Sequence, residues 1–407
     1  TPFLLGLTLG VYGLTQAILQ IPLGLLSDRI GRAPVIIGGL LIFVVGSVVA
    51  AMADTMQGLI LGRALQGMGA IASTLMAMVT DLTSEQNRTK AMASIGASIG
   101  LSFILAMIAG PLIASAMGLS GVFWVTALLG CIGIFVFVLL VPRVFSAQKN
   151  RETLADLNQI GLLLKQPTLL RLNLGIFALH LALMAAFVVI PTMLSGQLGF
   201  SGDDLWWVYL ALLGGGFVAM LPVMILSEKY QRQKLTFVSA IACMTVAMLV
   251  LGREQGAILT LAMLLLFFAA FNLLEATLPS WLSKVCPAGS RGTAMGIYST
   301  SQFMGAFVGG TLGGWSLQQF GITGVFLLVA VVLAFWWFLS LSLKSPRPLQ
   351  TLVLQVGEME HRDFVKIISN IVGVEDILVV KGESLAYAKV DKKTVDMTSI
   401  KPYLNRN

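Results

Sequence analysis

The stretch Ile21-Pro-Leu-Gly-Leu-Leu-Ser-Asp-Arg-Ile-Gly-Arg32 decides how this chain is read, because it returns 200 residues later as Leu221-Pro-Val-Met-Ile-Leu-Ser-Glu-Lys-Tyr-Gln-Arg232. Pro22, Leu26, Ser27 and Arg32 recur as Pro222, Leu226, Ser227 and Arg232, while Glu228 and Lys229 keep the charges of Asp28 and Arg29. A second echo joins Arg88-Thr-Lys-Ala-Met92 to Arg291-Gly-Thr-Ala-Met295 at an offset of 203. Two echoes at nearly one offset imply duplicated halves. Parallel repeats of this kind are one architecture of membrane proteins that move solutes.

Composition places the chain in a bilayer. Only 11% of its residues are charged, where a soluble domain has about 25%, and 57% are hydrophobic, with a mean hydropathy of +0.89. The net charge of +7 arises entirely within residues 1–348, which hold 18 Lys/Arg against 11 Asp/Glu, and these basic residues lie between apolar segments. That pattern orients a protein in a membrane and does not describe a nucleic-acid surface. Cys131, Cys243 and Cys286 lie in or beside apolar segments without paired spacing, so no disulfide framework or zinc site is expected.

Apolar stretches long enough to span a bilayer run near 3–26, 34–53, 57–80, 91–116, 121–141, 169–194, 205–227, 235–252, 257–283, 292–317 and 322–343. The loops on one face carry Arg29 and Arg32, Arg88 and Lys90, Arg143 to Arg171, Lys229 to Lys234, Lys284 and Arg291, and Lys344 and Arg347. The loops on the other face hold Arg253 as their one basic residue, with Asp54, Asp203, Asp204 and Glu254. The positive-inside rule makes the first set cytoplasmic, with the C-terminus inside. Five spans then precede the midpoint and six follow it, so the repeat leads to the expectation of one further helix before Thr1.

Residues 1–141 are expected to form the first membrane half and 169–343 the second. The linker 142–168 places Leu154, Leu157, Ile160, Leu163 and Leu164 at helical spacing, as an interfacial amphipathic helix does. Beyond Pro348 the composition becomes that of a soluble domain, 349–407. Strands at 351–356, 374–380 and 384–390 and helices at 360–371 and 395–403 give a βαββα order, that of a small ferredoxin-like unit.

The run Gly24-Leu-Leu-Ser-Asp-Arg-Ile-Gly-Arg32 resembles the Gly-x-x-x-Asp-Arg-x-Gly-Arg loop of the major facilitator superfamily. The resemblance covers essentially the whole chain. Tyr12-Gly-Leu-Thr-Gln16, Arg63-Ala-Leu-Gln-Gly67, Phe271-Asn-Leu-Leu-Glu275 and Ser299-Thr-Ser-Gln302 resemble a bacterial inner-membrane branch that carries a small cytoplasmic C-terminal domain. The resemblance implies an all-α membrane bundle of two pseudo-repeated six-helix halves, with the first helix missing here, and a function in proton-coupled efflux. Two departures stand out. Ala33 takes the place of a further basic residue after the loop, and the Gly-Pro signature associated with exporters is half kept as Gly110-Pro111-Leu-Ile-Ala-Ser115, where helix packing is expected.

No Gly-Lys pair occurs, so the usual nucleotide-cradling loop is absent and energy must come from a gradient. A gradient-driven cycle needs a breakable latch and a group that binds the coupling ion. Asp28 and Arg32 stand at i and i+4 where helix meets loop, and Asp81 ends a later span; in the family such groups close the cytoplasmic side. Gly24, Arg29 and Gly31 belong to the same loop, and Glu228 and Arg232 are expected to repeat the latch. The plainer alternative is that these charges cap helices and mark the inner face.

Arg63 lies inside an apolar segment, where a charge costs about 2.5–3.5 kcal/mol on insertion scales. The resemblance gives it a proton-coupling role; snorkelling to the outer interface is the alternative. Glu275, with Asn272 at i−3 and Pro279 nearby, forms a candidate proton or substrate site or a packing hydrogen bond. His180 can titrate or simply pack. Tyr12, Gln16 and Gln20 run down one helix face, with Gln302 on a partner helix, as cavity-lining or half-joining groups.

Glu358, Glu360 and His361 could touch a metal, but regulation or self-association suits the soluble domain better. No cofactor and no catalytic residues are expected. The sequence reads as a proton-coupled antiporter that exports a small amphipathic compound through the bacterial inner membrane by alternating access. Its partners are the lipid bilayer, protons and the transported molecule, with no nucleic acid. A ligand-binding membrane receptor that signals through the C-terminal domain and a proton-driven importer are the rivals.

Overall fold

The computed structural model of the chain describes residues 1–83, 85–141, 157–201, 204–253, 256–287, 291–343, 349–357, 359–379, 385–391 and 394–404. The first half comprises α1 (Pro2–Ile30), α2 (Arg32–Ala51), α3 (Met56–Met68), α4 (Ala72–Leu82) and α5 (Glu85–Leu140). After a short α6 (Leu157–Leu164), the second half comprises α7 (Pro167–Thr192), α8 (Leu205–Tyr209), α9 (Gly215–Lys229), α10 (Gln233–Leu251), α11 (Ala257–Val285) and α12 (Arg291–Leu341). α3 with α4 forms one interrupted span, and a π-helical turn at Leu210–Gly214 joins α8 to α9 in another.

Nine helices among the described residues are long and apolar enough to cross a membrane, two fewer than the eleven apolar segments of the sequence. The difference lies in α5 and α12. Their apolar runs, Ser98–Leu140 and Gly292–Leu341, hold 43 and 50 residues, while about 20 suffice for one crossing. Each breaks once, α5 at Gly118 (φ 71°) and α12 at Gly321 (φ 67°), in the left-handed region that glycine enters without a Cβ clash. Counted as two limbs each, they restore five spans in the first half and six in the second. Gly118 and Gly321 are also 203 residues apart, so the backbone break repeats at the offset of the second sequence echo.

The halves meet where α1 lies along the first limb of α12. In a membrane, helices associate through close packing and not through burial from water, and small residues permit that approach. A side chain at Gly6 would collide with the backbone oxygen of Gly310, and one at Gly314 with that of Pro2. On its other side α12 turns Gly305 and Gly309 to the backbones of Phe177 and Leu181 on α7. α12 is thus wedged between α1 and α7. Gly110, expected at a packing contact, has nothing within 4 Å of where its Cβ would be. It lies with Pro111 on α5, whose apolar run is the least buried of the described spans.

In the linker, α6 buries Leu163 and leaves Leu162 and Leu164 exposed, as an amphipathic helix does; Leu154 lies outside the described residues. The soluble domain contains β1 (Leu349–Gln355), α13 (His361–Ser369), β2 (Val374–Val379), β3 (Leu385–Asp391) and α14 (Met397–Ile400), followed by a 3-10 turn at Lys401–Tyr403. Its sheet is antiparallel in the order β1-β3-β2, the ferredoxin-like arrangement with β3 central. Ala386, Ala388 and Val390 of β3 meet Phe364, Ile368 and Ile400 in a core separate from that of the membrane helices. Glu358 lies outside the described residues, while Glu360 and His361 stand at the start of α13.

Candidate functional site: a latch and two polar clusters

The candidate latch lies at the α1–α2 turn; Arg29, Arg32, Lys229 and Lys284 stand at the helix ends on that side of the charge pattern, the basic end. Arg32 Nε donates to Asp81 Oδ2 at 3.2 Å, and its Nη1 reaches both Asp28 Oδ1 and Ser27 Oγ. One guanidinium therefore ties α1, α2 and α4. A planar fork of donors suits this better than an ammonium would. Gly31, at φ 98°, makes the turn that aims Arg32 back at Asp28. Gly24 lets α4 approach, since its Cβ would stand 3.3 Å from Ser73 Oγ, which donates to the Gln20 carbonyl at 3.1 Å. Arg29 is exposed.

The echo keeps the turn and loses the tie. Gln231 replaces Gly31 and still adopts a positive φ of 53°, and Arg232 N–H donates to Ser227 C=O at 2.9 Å. Among the described residues, however, Glu228 and Arg232 are exposed and form no ion pair. One difference lies 203 residues from Asp81. Asp81 is the penultimate residue of α4, and the penultimate residue of α11 is Lys284. A lysine at that position supplies no carboxylate to match the one Asp81 gives Arg32.

Within the first half, polar groups form a chain across three helices. Gln16 Nε2 donates to Tyr12 Oη at 2.9 Å, and the Arg63 guanidinium lies 4.8 Å from the Tyr12 ring centroid. Arg63 Nη1 donates to Gln66 Oε1 at 2.7 Å, and Gln66 Nε2 donates to Ser47 Oγ at 2.8 Å. Arg63 therefore reaches inward to Tyr12 and Gln66. Gln20 is almost wholly buried, and both its amide atoms lack hydrogen-bond partners among the described residues. Gln66 and Ser47 were not singled out from the sequence, although Gln66 at i+3 from Arg63 carried a signal.

The second half gathers a different set from α7, α11 and α12. Gln302 Nε2 lies 2.8 Å from His180 Nε2 and donates to Glu275 Oε1 at 3.4 Å. His180 Nδ1 is 3.8 Å from Glu275 Oε2, and neither atom has a hydrogen-bond partner among the described residues. Phe271 packs edge-on against His180, and the Tyr298 phenol lies within electrostatic range of Glu275. Asn272 makes no hydrogen bond with the described residues. Tyr298, one turn before Gln302, escaped the sequence reading because an aromatic in an apolar helix carries no local signal.

Two repeated sets of apolar helices thus meet along a glycine seam, with an Asp28–Arg32–Asp81 cluster at one end, and the family with which this chain is matched is one of membrane transporters, not enzymes. The sequence profile of the Major Facilitator Superfamily matches residues 1–310 and 172–380, and the chain belongs to that family. It is 44% identical over 400 residues to the inner membrane transport protein YajR of Escherichia coli strain K12, covering 98% of this chain and 88% of that protein. It is 24% identical over 345 residues to the quinolone resistance protein NorA of Staphylococcus aureus strain MSSA476, covering 81% and 85% of the two chains. The crystal structure of the human organic anion transporter MFSD10 shares the fold, with a TM-score of 0.60 at 19% identity over 82% of this chain and 83% of that one.

Proposed function

We propose that the protein is a proton-coupled antiporter of a bacterial inner membrane that exports a small amphipathic compound by alternating access, its basic end facing the cytoplasm. The observation that carries this reading is the His180–Glu275 pair. Two buried polar atoms face each other at 3.8 Å, too far for a hydrogen bond and near enough for one to form after a small movement. A buried group left unsatisfied is costly, so such a pair has two competing arrangements. An ionised Glu275 is drawn toward the imidazole; a protonated one is released from it. The groups stand on α7 and α11, so the exchange biases the relative position of two spans. A substrate that takes the same carboxylate oxygen excludes the proton, which is the condition for antiport.

The latch supplies the second requirement, a contact that must break when the basic end opens. The names of YajR and NorA support transport, and that of NorA supports export of drug-like compounds. The test reconstitutes the protein in liposomes that enclose a pH-sensitive dye and adds amphipathic compounds, quinolones first. Substrate-dependent proton movement in the opposite direction is expected, lost in Glu275→Gln, which also weakens binding of the compound, and lost in Arg63→Ala. Unchanged pH dependence in Glu275→Gln would remove the pair from the mechanism. Proton movement in the same direction as the compound would make the protein an importer, and binding without proton movement a receptor.

A further inference from the structure

We propose that the soluble domain supplies the tie that the second half lacks: Lys389 on β3, seated on the C-terminal carbonyls of α11, holds the point that Asp81 and Arg32 hold in the first half. The strand pattern isolates the observation. Ala386, Ala388 and Val390 point into the domain core, so Tyr387 and Lys389 belong to the opposite face of the sheet. In a free three-stranded unit with its helices on one side, that face is bare. Here Tyr387 is 5% exposed and Lys389 7%. Lys389 Nζ donates to Lys284 C=O at 3.3 Å and to Cys286 C=O.

The acceptor is chemically suited. The last carbonyls of a helix have no intrahelical partner and carry the negative end of its dipole. A lysine brings three donors and a positive charge to that end. The position is the one described above, where Lys284 stands in place of Asp81. At this point the first half uses a carboxylate side chain that an arginine grips. The second half uses backbone oxygens that a lysine of the appended domain grips. α11 also carries Glu275, so the domain holds the basic end of the helix on which the proton pair depends. Asp376 stands across from Lys389 in the β2–β3 register, which gives the ammonium a second resting place when the domain lifts. The soluble domain is therefore a brake: docked, it keeps α11 in the arrangement seen here; lifted, it frees the second half to move. The docking stands on its own geometry, while its effect on transport rests on the antiport reading.

The test uses the full chain with Cys131, Cys243 and Cys286 replaced by serine and spin labels at Val372→Cys and Ser280→Cys, both exposed positions. Docking predicts one narrow distance distribution. Lys389→Met is expected to broaden it, and Lys389→Arg to keep it narrow. A broad distribution in the parent, a narrow one in Lys389→Met, or equal broadening in Lys389→Arg would each overturn the proposal, the last because a retained positive charge would then fail to hold the domain. In the liposome assay Lys389→Met is expected to raise the transport rate several-fold over the parent and over Lys401→Met, an exposed control. An unchanged rate with a broadened distribution would refute the brake. If none of the proteins moves protons while the distances behave as expected, the antiport reading fails and the docking stands.

Discussion

The two halves keep the same turn and differ in what it holds. At Gly31 the chain passes from α1 into α2 and delivers Arg32 to Asp28 and Asp81; at Gln231 it passes from α9 into α10 and delivers Arg232 to solvent. One position that differs is Asp81, which corresponds to Lys284 at the offset of 203. The two halves thus share the backbone geometry of this turn and differ in the charges that surround it.

The first way to break this comparison is to remove the tie that exists. Arg32→Ala leaves Asp81 with 7% side-chain exposure and without its guanidinium; losing a hydrogen bond to a charged group costs about 1.5–3 kcal/mol. The variant is expected to lower the thermal midpoint and abolish coupled transport, whereas Arg232→Ala leaves both within error. Equal losses in the two variants would show that the second half has a latch after all.

A smaller effect comes from the seam that joins the halves. Gly6→Ala places a methyl against the Gly310 backbone oxygen and is expected to cost about 1–3 kcal/mol through overpacking. Gly110→Ala, with open space around it, is expected to be neutral or stabilising by up to about 1 kcal/mol, because alanine favours the helix. Thermal unfolding in detergent compares them, and a loss at Gly110 matching that at Gly6 would contradict the described packing.

Lys284→Asp sharpens the comparison by giving Arg232 the carboxylate that Arg32 has. Because Arg232 is exposed, the gain should stay below about 1 kcal/mol and disappear in high salt. A stabilisation that persists in 1 M salt would mean that the new pair is buried and the tie fully rebuilt.

The smallest effect concerns acid. The hydrogen bonds from Ser399 to the exposed Asp396 carboxylate, with those from Thr398, hold it below the usual carboxylate range, and they cap α14. The folded value lies below the unfolded one of about 3.9, so this cap contributes fully above the unfolded value and is lost as pH falls through the folded one. The protection factor of the Thr398 amide, its intrinsic exchange rate divided by the observed one, should fall only at that acid end. A fall near pH 6 would assign the change to another group.

Much of this architecture is legible in the letters. Hydropathy marks the eleven spans because a bilayer punishes every interruption, and the i, i+4 spacing of Asp28 and Arg32 makes their contact a local matter. What escaped the sequence depends on rotation and approach. Nothing near His180, Glu275 or Gln302 states that three helices turn those faces to one point. The failed echo at Arg232 could have been read only by matching Asp81 to Lys284 across the repeat, a comparison made reliable once Gly118 and Gly321 fix the register. Lys389 reads as an ordinary strand lysine until the domain's place against α11 is known.

Gln231 has one more consequence. A residue with a side chain sits in a left-handed conformation at the position that corresponds to Gly31 in the first half. In a doubled chain, torsion angles can therefore be a longer memory than letters. A search that aligns the two halves by the sign of φ at their turns would find the kinship of 31 with 231 and of 118 with 321, even where sequence identity has faded below notice.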